Sequence, residues 1–504
     1  MRLSRKIRTC AIMTLCAGMM LGTAACGQDT ADNIASEVET ENTTEIAETT
    51  TSEPDAENDT ENVTDETTES GAKESTEETS TEEKHSATEA EQDVILGDEQ
   101  FDEYIPLLSG KRVAIYSNHT GVVGNETSLD GKAVDESSED STLIKFGKDV
   151  AGNDITYGTH IVDALIEKDV NVTAIFSPEH GFRGTEDAGA AVDNSVDEKT
   201  GVPILSLYTE DSHYPATEDM ETFDTLVVDM QDVGLRYYTY YITLYYLMDA
   251  CAEADKEVVI LDRPNPNGFY VDGPILQDKY KSNVGQLPIP IVYGMTWGEL
   301  AQMINGEGWL NAGKDACKLV VVPCKNYTHD TITSLIRNPS PNIKDMRAVY
   351  LYASTCFFEN TLVSVGRGTE YPFEIYGSPY LKSVEGYDFT FTPVSMAGAL
   401  EPPYMNEECY GVDIRNVPIE DIWNAGINLN YLIDSYNALK KAAPDECFWG
   451  QERAPGIYWI DYLSGSDELR KMIEEGKTAE EIKAEWQDDI EEFKKQRQPY
   501  LIYE

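Results

Sequence analysis

The chain has 504 residues and a formal net charge of −54 at pH 7, because 92 acidic side chains face only 38 lysines and arginines. So large an acidic excess excludes a protein that binds nucleic acid through its phosphates. None of the nine cysteines forms a C-x-x-C pair, which argues against a zinc knuckle or a thioredoxin-like site, and we expect no metal. Cys317 and Cys324 are the nearest candidates for a disulfide, whereas Cys251 sits in an apolar helical pattern typical of a core thiol.

The first 26 residues have the layout of a secretory signal. Four basic side chains lie within the first eight positions, an apolar run covers 11–20, and small residues lead to Cys26. The apolar run is too short to span a bilayer. Thr23-Ala-Ala-Cys26 is similar to a bacterial lipobox, with Thr23 in place of the usual Leu, so we expect Cys26 to carry lipid and to anchor the protein at the outer face of the cell membrane. If Cys26 is not lipidated, the protein is secreted free.

Residues 27–94 predict a disordered tether. They contain 23 acidic residues, two lysines and no aromatic residue, so they cannot bury enough apolar surface to offset chain entropy. Repulsion among the acids extends such a linker and suits a head held away from a membrane. The tether carries a net charge of −21 and the signal +4, so the rest of the chain carries the remaining −37.

From residue 95 onward the pattern alternates strands and helices. Strands are predicted at 112–117, 172–176, 203–208, 225–230 and 257–262, and helices at 158–168 and 239–254. Strands separated by helices predict a parallel sheet covered on both faces, and thus an α/β, Rossmann-like domain over 95–325. No G-x-G-x-x-G follows any of these strands, so a dinucleotide is not expected, and neither is another cofactor.

Several predicted strands are followed at once by polar and charged side chains. Three of them lead to a carboxylate with an arginine close behind, and the first leads to a polar loop. The residues concerned are Asn118; Glu179, His180 and Arg183; Asp229, Asp232, Arg236 and Tyr237; and Asp262, Arg263 and Asn265. Because open α/β sheets bind ligands at the carboxyl ends of their strands, we expect these side chains to converge on one crevice.

Converging carboxylates and arginines suit two tasks. One is proton transfer at a glycosidic oxygen, which needs one protonated acid and a second group that stabilises or attacks the reacting carbon. The other is binding of an anionic substrate by the bidentate fork of arginine. Buried Asp–Arg pairs that merely order the loops are the competing interpretation, and for Asp262 and Arg263 it is favoured by the rigid Pro264 and Pro266.

The second half of the chain has its own polar cluster. Residues 348–353 are predicted to be a strand that leads to Glu359, and Gly-Arg367-Gly follows, with Glu374 after it. Two glycines beside Arg367 allow the backbone to approach a ligand closely, so this loop is a candidate anion-binding nest.

The motifs together resemble one family. In this order they read SPEHGFRG at 177–184, DMQDVGLRYYTY at 229–240, LDRPNPN at 261–267, PSPN at 339–342 and GRGTEYPFE at 366–374. They are similar to those of the bacterial exo-β-N-acetylmuramidase family, first catalogued as a domain of unknown function. The similarity covers the chain from about residue 107 to the end.

The resemblance implies a Rossmann-like domain, a smaller α/β domain over 326–504 and a cleft between them. It implies release of terminal β-linked N-acetylmuramic acid from the non-reducing end of peptidoglycan fragments, a substrate whose lactyl carboxylate explains the arginines. Matched to the motifs, Glu179 becomes the general acid, with His180 beside it and Asp232 as a further catalytic candidate. Two departures are the long segment 123–159 and Val365, which stands where many members have an acid before Gly-Arg-Gly.

Two functions of other classes stay open. A two-lobed tethered lipoprotein is also typical of the solute-binding component of a transporter, here for muropeptides or other anionic sugars. An esterase is disfavoured, because no G-x-S-x-G motif occurs. Retention or inversion of the anomeric configuration depends on the distance between two carboxyl groups and is not predicted by sequence.

Overall fold

A computed structural model describes residues 94–123, 159–177, 195–207, 214–335 and 337–503. These residues belong to one compact unit. The predicted signal with Cys26, the tether as far as residue 93, and the loop with Glu179, His180 and Arg183 lie outside the described residues.

The larger sheet has the Rossmann-like architecture that the sequence predicts. In the described part of the chain it contains seven strands in the order β3-β4-β2-β1-β5-β6-β7, and all neighbouring pairs are parallel except β3 with β4. The strands are β1 (Arg112–Ser117), β2 (Asn171–Ser177), β3 (Ser195–Val196), β4 (Pro203–Ser206), β5 (Thr225–Asp229), β6 (Glu257–Leu261) and β7 (Lys318–Val322). The chain starts at the central β1 and builds the sheet outward on one side and then on the other, so a topological switch point lies between β1 and β5.

Both faces of this sheet are covered, which explains why its strands are continuous apolar runs. The described residues contribute five helices to this covering: α1 (Phe101–Leu108), α2 (Ile161–Glu167), α3 (Thr217–Met220), α4 (Tyr240–Glu253) and α5 (Trp297–Gly306). Val113 and Ile115 face α1 and α2, whereas Ala114 and Tyr116 face the core that α4 and α5 share. Each fully buried Val or Ile side chain contributes about 1.5–3 kcal/mol to this packing.

The second half forms a smaller antiparallel sheet with helices around it. Its strand order is β8-β10-β9. The elements are α6 (Met346–Thr355), β8 (Ile375–Ser378), β9 (Phe389–Phe391), β10 (Cys409–Asp413), α7 (Ile419–Ala425), α8 (Asn430–Ala442), α9 (Trp459–Ser464), α10 (Glu468–Glu475), α11 (Ala479–Glu485) and α12 (Gln487–Arg497). One hydrophobic core runs from α4 and α5 into these helices.

The strand predicted at 348–353 is wrong, because these residues lie in the middle of helix α6. Asp345 caps the helix by accepting a hydrogen bond from the Ala348 amide (2.9 Å). All ten residues of α6 are buried, so no polar face marks the helical period, and the aromatic and β-branched side chains resemble a buried strand.

The cysteines of the described residues are all free, so Cys317 and Cys324 are not paired, and Cys251 is a fully buried thiol as predicted. Over the same residues, none of the helices combines the length and the apolar character needed to cross a bilayer.

Candidate active site

The candidate site begins where β1 and β5 end side by side. Ser117, the last residue of β1, pairs with Asp229, the last residue of β5, at the topological switch point. Asn118 follows β1, and Asp232 lies three residues beyond the end of β5. The structure therefore brings these predicted site residues to the edge of the sheet where α/β folds bind ligands.

Asn118 organises the loop after β1. Its Oδ1 accepts hydrogen bonds from the amide and the hydroxyl of Thr120 (2.9 and 2.6 Å), and the Thr120 hydroxyl accepts one from the Gln231 amide (3.0 Å). On the other side, His160 Nδ1 accepts from the Val162 amide, so Nε2 carries the proton and donates to the Asn118 carbonyl (2.8 Å). The Asn118 Nδ2 group is buried and has no hydrogen-bond partner among the described residues.

Asp229 belongs to a buried ionic group with Arg263. Arg263 Nε donates to Asp229 Oδ1 (2.7 Å), and Nη2 donates to Asp98 Oδ2 (2.7 Å) and to the Val122 carbonyl (3.0 Å). Burial raises the pKa of Asp229, and the Arg263 guanidinium opposes that shift. The competing interpretation from sequence therefore holds for Arg263, since the structure uses its guanidinium to hold loops together.

Asp229 Oδ2 is buried without a hydrogen-bond partner among the described residues, and Asp232 likewise has one such oxygen. Unlike Asp229, Asp232 is not paired with an arginine in that part of the chain. Its Oδ2 accepts from the Gly234 amide (2.8 Å) and from the Tyr293 hydroxyl, whereas its Oδ1 is buried without a partner in the described part of the chain. Burial raises the pKa of Asp232 to about 6, against the lowering effect of the hydrogen bonds from Tyr293 and Gly234. A carboxyl group of this kind exchanges its proton near neutral pH, as acid–base catalysis requires.

Asp262 has the same pKa but a different environment. Its Oδ2 accepts from the hydroxyls of Thr296 (2.7 Å) and Tyr503 (2.6 Å), and its Oδ1 accepts from the Gly298 amide (2.9 Å). Burial raises its pKa to about 6, and the hydrogen bonds from Tyr503 and Thr296 oppose the rise. Both oxygens are occupied, so Asp262 ties the start of α5 and the carboxyl-terminal residues to the end of β6.

Three other predicted site residues also serve the framework. Arg236 is fully buried, and its guanidinium donates to the carbonyls of Pro274, Ile289 and Leu463 (2.6–3.0 Å). The Tyr237 hydroxyl donates to the Ala353 carbonyl at the end of α6 (2.6 Å). Asn265 accepts from the Asn267 amide (2.8 Å) and donates to the Met295 carbonyl (2.9 Å), so it stabilises the Pro-rich turn. In this conformation none of the three presents its polar group to a substrate.

Arg367 and Glu359 form a half-buried ion pair in the second half of the chain. Arg367 Nε lies 2.7 Å from Glu359 Oε1, and the guanidinium stacks over the Phe373 ring, 5.1 Å from its centroid. Gly366 and Gly368 both have positive φ (+79° and +81°), and a Cβ on Gly368 would meet Pro402, so this turn requires glycine. In the predicted Gly-Arg-Gly loop the backbone thus packs closely against Pro402, and Arg367 lies between the two glycines.

Glu374 is buried among other charges. Burial and the neighbouring Asp345 raise its pKa to about 8, while Arg347 and Arg415 oppose the rise. Among the described residues, Arg367 pairs with Glu359, whereas Arg263 pairs with Asp229. The two predicted arginines are thus held by different carboxylates, one in each half of the chain.

The loop that contains the PSPN motif, residues 338–342, contacts both halves of the chain. His119 Nε2 lies 2.7 Å from the Asn338 carbonyl, and the Tyr238 hydroxyl donates to the Pro339 carbonyl (2.5 Å). At its other end, Asn342 Nδ2 donates to the Gly398 carbonyl (2.7 Å). The PSPN motif is consistent with this position, because rigid proline-rich loops of low helix propensity often line a site.

The described residues line a small cavity beside the site and a large groove away from it. The cavity, of about 10 Å³, lies at the ends of β5 and β6 and is lined by Asp232, Arg263 and Trp297, so it has room for about one water molecule and none for a sugar ring. A groove of about 610 Å³ between α5, β7 and the carboxyl-terminal residues contains none of the predicted site residues. In the part of the chain that the structure describes, no group of three His, Cys, Asp or Glu side chains fits a metal ion.

The comparison with known proteins adds the family. Residues 150–347 match the model of the N-terminal part of exo-β-N-acetylmuramidase NamZ, and residues 350–503 match that of its C-terminal part. The chain belongs to this family. It is therefore a glycosidase, and the resemblance read from the motifs is confirmed.

Relatives of the NamZ family include proteins of known sequence and structure. The peptidoglycan β-N-acetylmuramidase NamZ of Bacillus subtilis (strain 168) is 35% identical over 353 residues, which are 68% of this chain and 82% of that protein. Two crystal structures of DUF1343 family proteins from Bacteroides fragilis NCTC 9343, BF0379 and BF0371, have TM-scores of 0.68 and 0.62 and identities of 50% and 27%. Each covers 82% of this chain and 99% of the solved chain.

The NamZ family models leave part of the site outside their range. They begin at residue 150 and meet between residues 347 and 350, whereas the sequence predicted a domain boundary at 325/326. Strand β1, Thr120 and Asp98 precede the matched residues, yet β1 pairs with β5, Thr120 bonds to Gln231 just after β5, and Asp98 bonds to Arg263 just after β6.

Proposed function

We propose that this protein removes terminal β-linked N-acetylmuramic acid from the non-reducing end of peptidoglycan fragments, in cell-wall turnover or recycling. The observation that carries the proposal is the family match over residues 150–503, together with a relative in Bacillus subtilis named as a peptidoglycan β-N-acetylmuramidase. The carboxyl groups at the ends of β5 and β6 agree with it, because glycosidic cleavage requires at least one carboxyl group that is protonated near neutral pH.

In this proposal Glu179 donates the proton to the leaving oxygen. It follows the end of β2 by two residues, and β2 pairs with β1 next to the switch point. Asp232 is the second carboxyl group, since it is buried just after β5 with one oxygen that accepts no hydrogen bond among the described residues, and since Arg263 holds Asp229 instead. Asn118 binds the substrate through its amide, and Arg183 and Arg367 are the cations proposed to receive the lactyl carboxylate.

The function is tested with 4-nitrophenyl β-N-acetylmuraminide and with a glycan fragment that ends in N-acetylmuramic acid. We expect the purified protein to release 4-nitrophenol from the first and free N-acetylmuramic acid from the second, one residue at a time from the non-reducing end. A matched N-acetylglucosaminide, which lacks only the lactyl group, is expected to react at least about tenfold more slowly, because an arginine–carboxylate contact is then lost.

The same assay separates the enzyme from a tethered solute-binding protein. Calorimetric binding of the fragment without any product after prolonged incubation would support the solute-binding function and contradict the glycosidase proposal. Mid-length fragments in the mass spectrum would show cleavage of internal bonds. That result would contradict exo-acting cleavage but not the glycosidase activity.

We further propose that the protein is anchored to the outer face of the membrane through lipid on Cys26. The support is the basic, apolar and small-residue order before Cys26 and the acidic tether after it. In cells, the protein is expected to partition into the detergent phase of a Triton X-114 extraction, and Cys26→Ser is expected to shift most of it to the aqueous phase. Cys16→Ser lies in the same signal and serves as the control that should stay in the detergent phase.

A further inference from the structure

The segment 94–100, which follows the predicted tether directly, is built into the end of the larger sheet. Ile95 exchanges two backbone hydrogen bonds with Lys325 (3.0 and 2.8 Å), and the Gly97 amide donates to the Asp262 carbonyl (3.0 Å). A Cβ on Gly97 would lie 2.5 Å from the Asp262 nitrogen and the Val322 oxygen, so only glycine lets the segment run this close to β6 and β7.

Asp98 points from this segment into the ionic group at the site. Its side chain is fully buried, and Oδ2 accepts from Arg263 Nη2 (2.7 Å). The same guanidinium holds Asp229 through Nε (2.7 Å) and the Val122 carbonyl through Nη2 (3.0 Å). One arginine, only 3% exposed, therefore joins the post-tether segment, the loop after β1, the end of β5 and the end of β6.

The loop after β1 has little room to move independently of this group. A Cβ on Gly121 would lie 3.3 Å from Asp229 Oδ2 and 3.0 Å from the Asp229 carbonyl, so the loop backbone packs directly on the carboxylate that Arg263 holds. In the same loop, Asn118 Oδ1 accepts from the Thr120 amide, and the Thr120 hydroxyl accepts from the amide of Gln231, which neighbours Asp232. A shift of Arg263 would therefore move both the loop after β1 and the residues that follow β5.

We propose that Asp98 is a positioning residue for the glycosidase reaction: it fixes Arg263, and through Arg263 it fixes Asp229 and the loop 118–122. This inference rests on the proposed function for its catalytic consequence. Two carboxylates accept from two nitrogens of one guanidinium, Nε and Nη2, and the low dielectric of the interior strengthens both contacts. An amide in place of Asp98 keeps the shape and loses that charge.

The test compares the full chain with Asp98→Asn and with a matched control, Asp461→Asn. Asp461 is also fully buried and pairs with an arginine (Arg470 Nε, 2.9 Å), but it lies in α9 and makes none of these contacts. We expect Asp98→Asn to lower kcat by roughly 10- to 100-fold on the chromogenic muraminide with KM changed less than about threefold, because small misplacement of reacting groups has effects of this size. Asp461→Asn is expected to retain kcat at temperatures where it is folded.

A second measurement does not depend on activity. Hydrogen exchange of the amides in 118–123 is expected to be faster in Asp98→Asn than in the parent chain and unchanged in Asp461→Asn. If Asp98→Asn does not fold, Arg263→Lys replaces it, because a lysine cannot join three partners at once and should give the same loss of kcat and loop protection.

Unchanged kcat and unchanged loop exchange in Asp98→Asn would overturn the inference, as would an equal loss of kcat in Asp461→Asn. An inactive parent chain would contradict the proposed function instead, and the exchange measurement would still decide whether Asp98 fixes the loop.

Discussion

Glu179→Gln is expected to lower kcat/KM for release of N-acetylmuramic acid from a natural glycan fragment by about 10²–10⁴-fold, the usual contribution of a general acid. The departing sugar oxygen must gain a proton as the glycosidic bond breaks, and an amide cannot supply one. The assay is initial-rate kinetics on the fragment with product detected by mass spectrometry. Glu218→Gln, on the exposed surface of α3, is the control and is expected to behave like the parent chain.

The leaving group distinguishes a proton donor from any other essential role. Nitrophenol is a much stronger acid than a sugar hydroxyl and departs with little help, so the loss for the 4-nitrophenyl substrate should be at least about tenfold smaller than the loss for the fragment. Equal losses on the two substrates would indicate a nucleophile or a binding group rather than an acid. Full activity on both would remove Glu179 from the reaction.

The strands that carry the site could be predicted because they are buried on both faces. β1 has the bounds predicted for it, and β5 and β6 each end one residue earlier than predicted. A continuous apolar run closed by Asp or Asn is typical of a parallel strand whose end meets solvent or ligand. The positions of Asn118, Asp229 and Asp262 relative to one another then follow from strand order alone.

Side-chain partners could not be predicted in the same way. Arg236 and Arg263 both follow a strand-end aspartate in sequence, yet one binds carbonyls at residues 274, 289 and 463, and the other binds two carboxylates. These choices depend on which distant segments arrive beside each guanidinium. Asp98 had no local signal at all, since its role exists only through the packing of segment 94–100 on β6.

Asp232→Asn is expected to make the protein more stable and nearly inactive. The pKa of Asp232 in the folded chain is about 6, above its ordinary 3.8, because burial disfavours the charged form. Stability from such an acid is fully present below about pH 4 and is lost as pH rises through about 6, amounting to roughly 3 kcal/mol. Asparagine never ionises, and its carbonyl oxygen still accepts from Gly234 and Tyr293, so the variant should exceed the parent chain by up to about 3 kcal/mol at pH 8.

Although Asp232→Asn is expected to be more stable, its activity is expected to fall. If Asp232 is the second carboxyl group of the reaction, its amide should lower kcat by about 100-fold or more at every pH from 5 to 8. Urea unfolding at pH 5 and pH 8, with kcat measured on the same preparations, tests both halves. A stabilised variant with full activity would assign Asp232 to the framework.

Asp262→Asn separates the effect of a raised pKa on stability from the effect of lost hydrogen bonds. Asp262 has the same pKa of about 6, so the pH-dependent gain is the same in sign and size. However, both of its oxygens accept hydrogen bonds, and an asparagine NH₂ group must replace one of them. In place of Oδ1 it meets the Gly298 amide, another donor, and in place of Oδ2 it removes the acceptor of the Thr296 and Tyr503 hydroxyls. The mismatch should cost about 1–3 kcal/mol at any pH. Asp262→Asn should therefore gain about 1–3 kcal/mol less stability than Asp232→Asn at both pH 5 and pH 8. It should keep its kcat within about tenfold, because Asp262 holds α5 rather than the substrate.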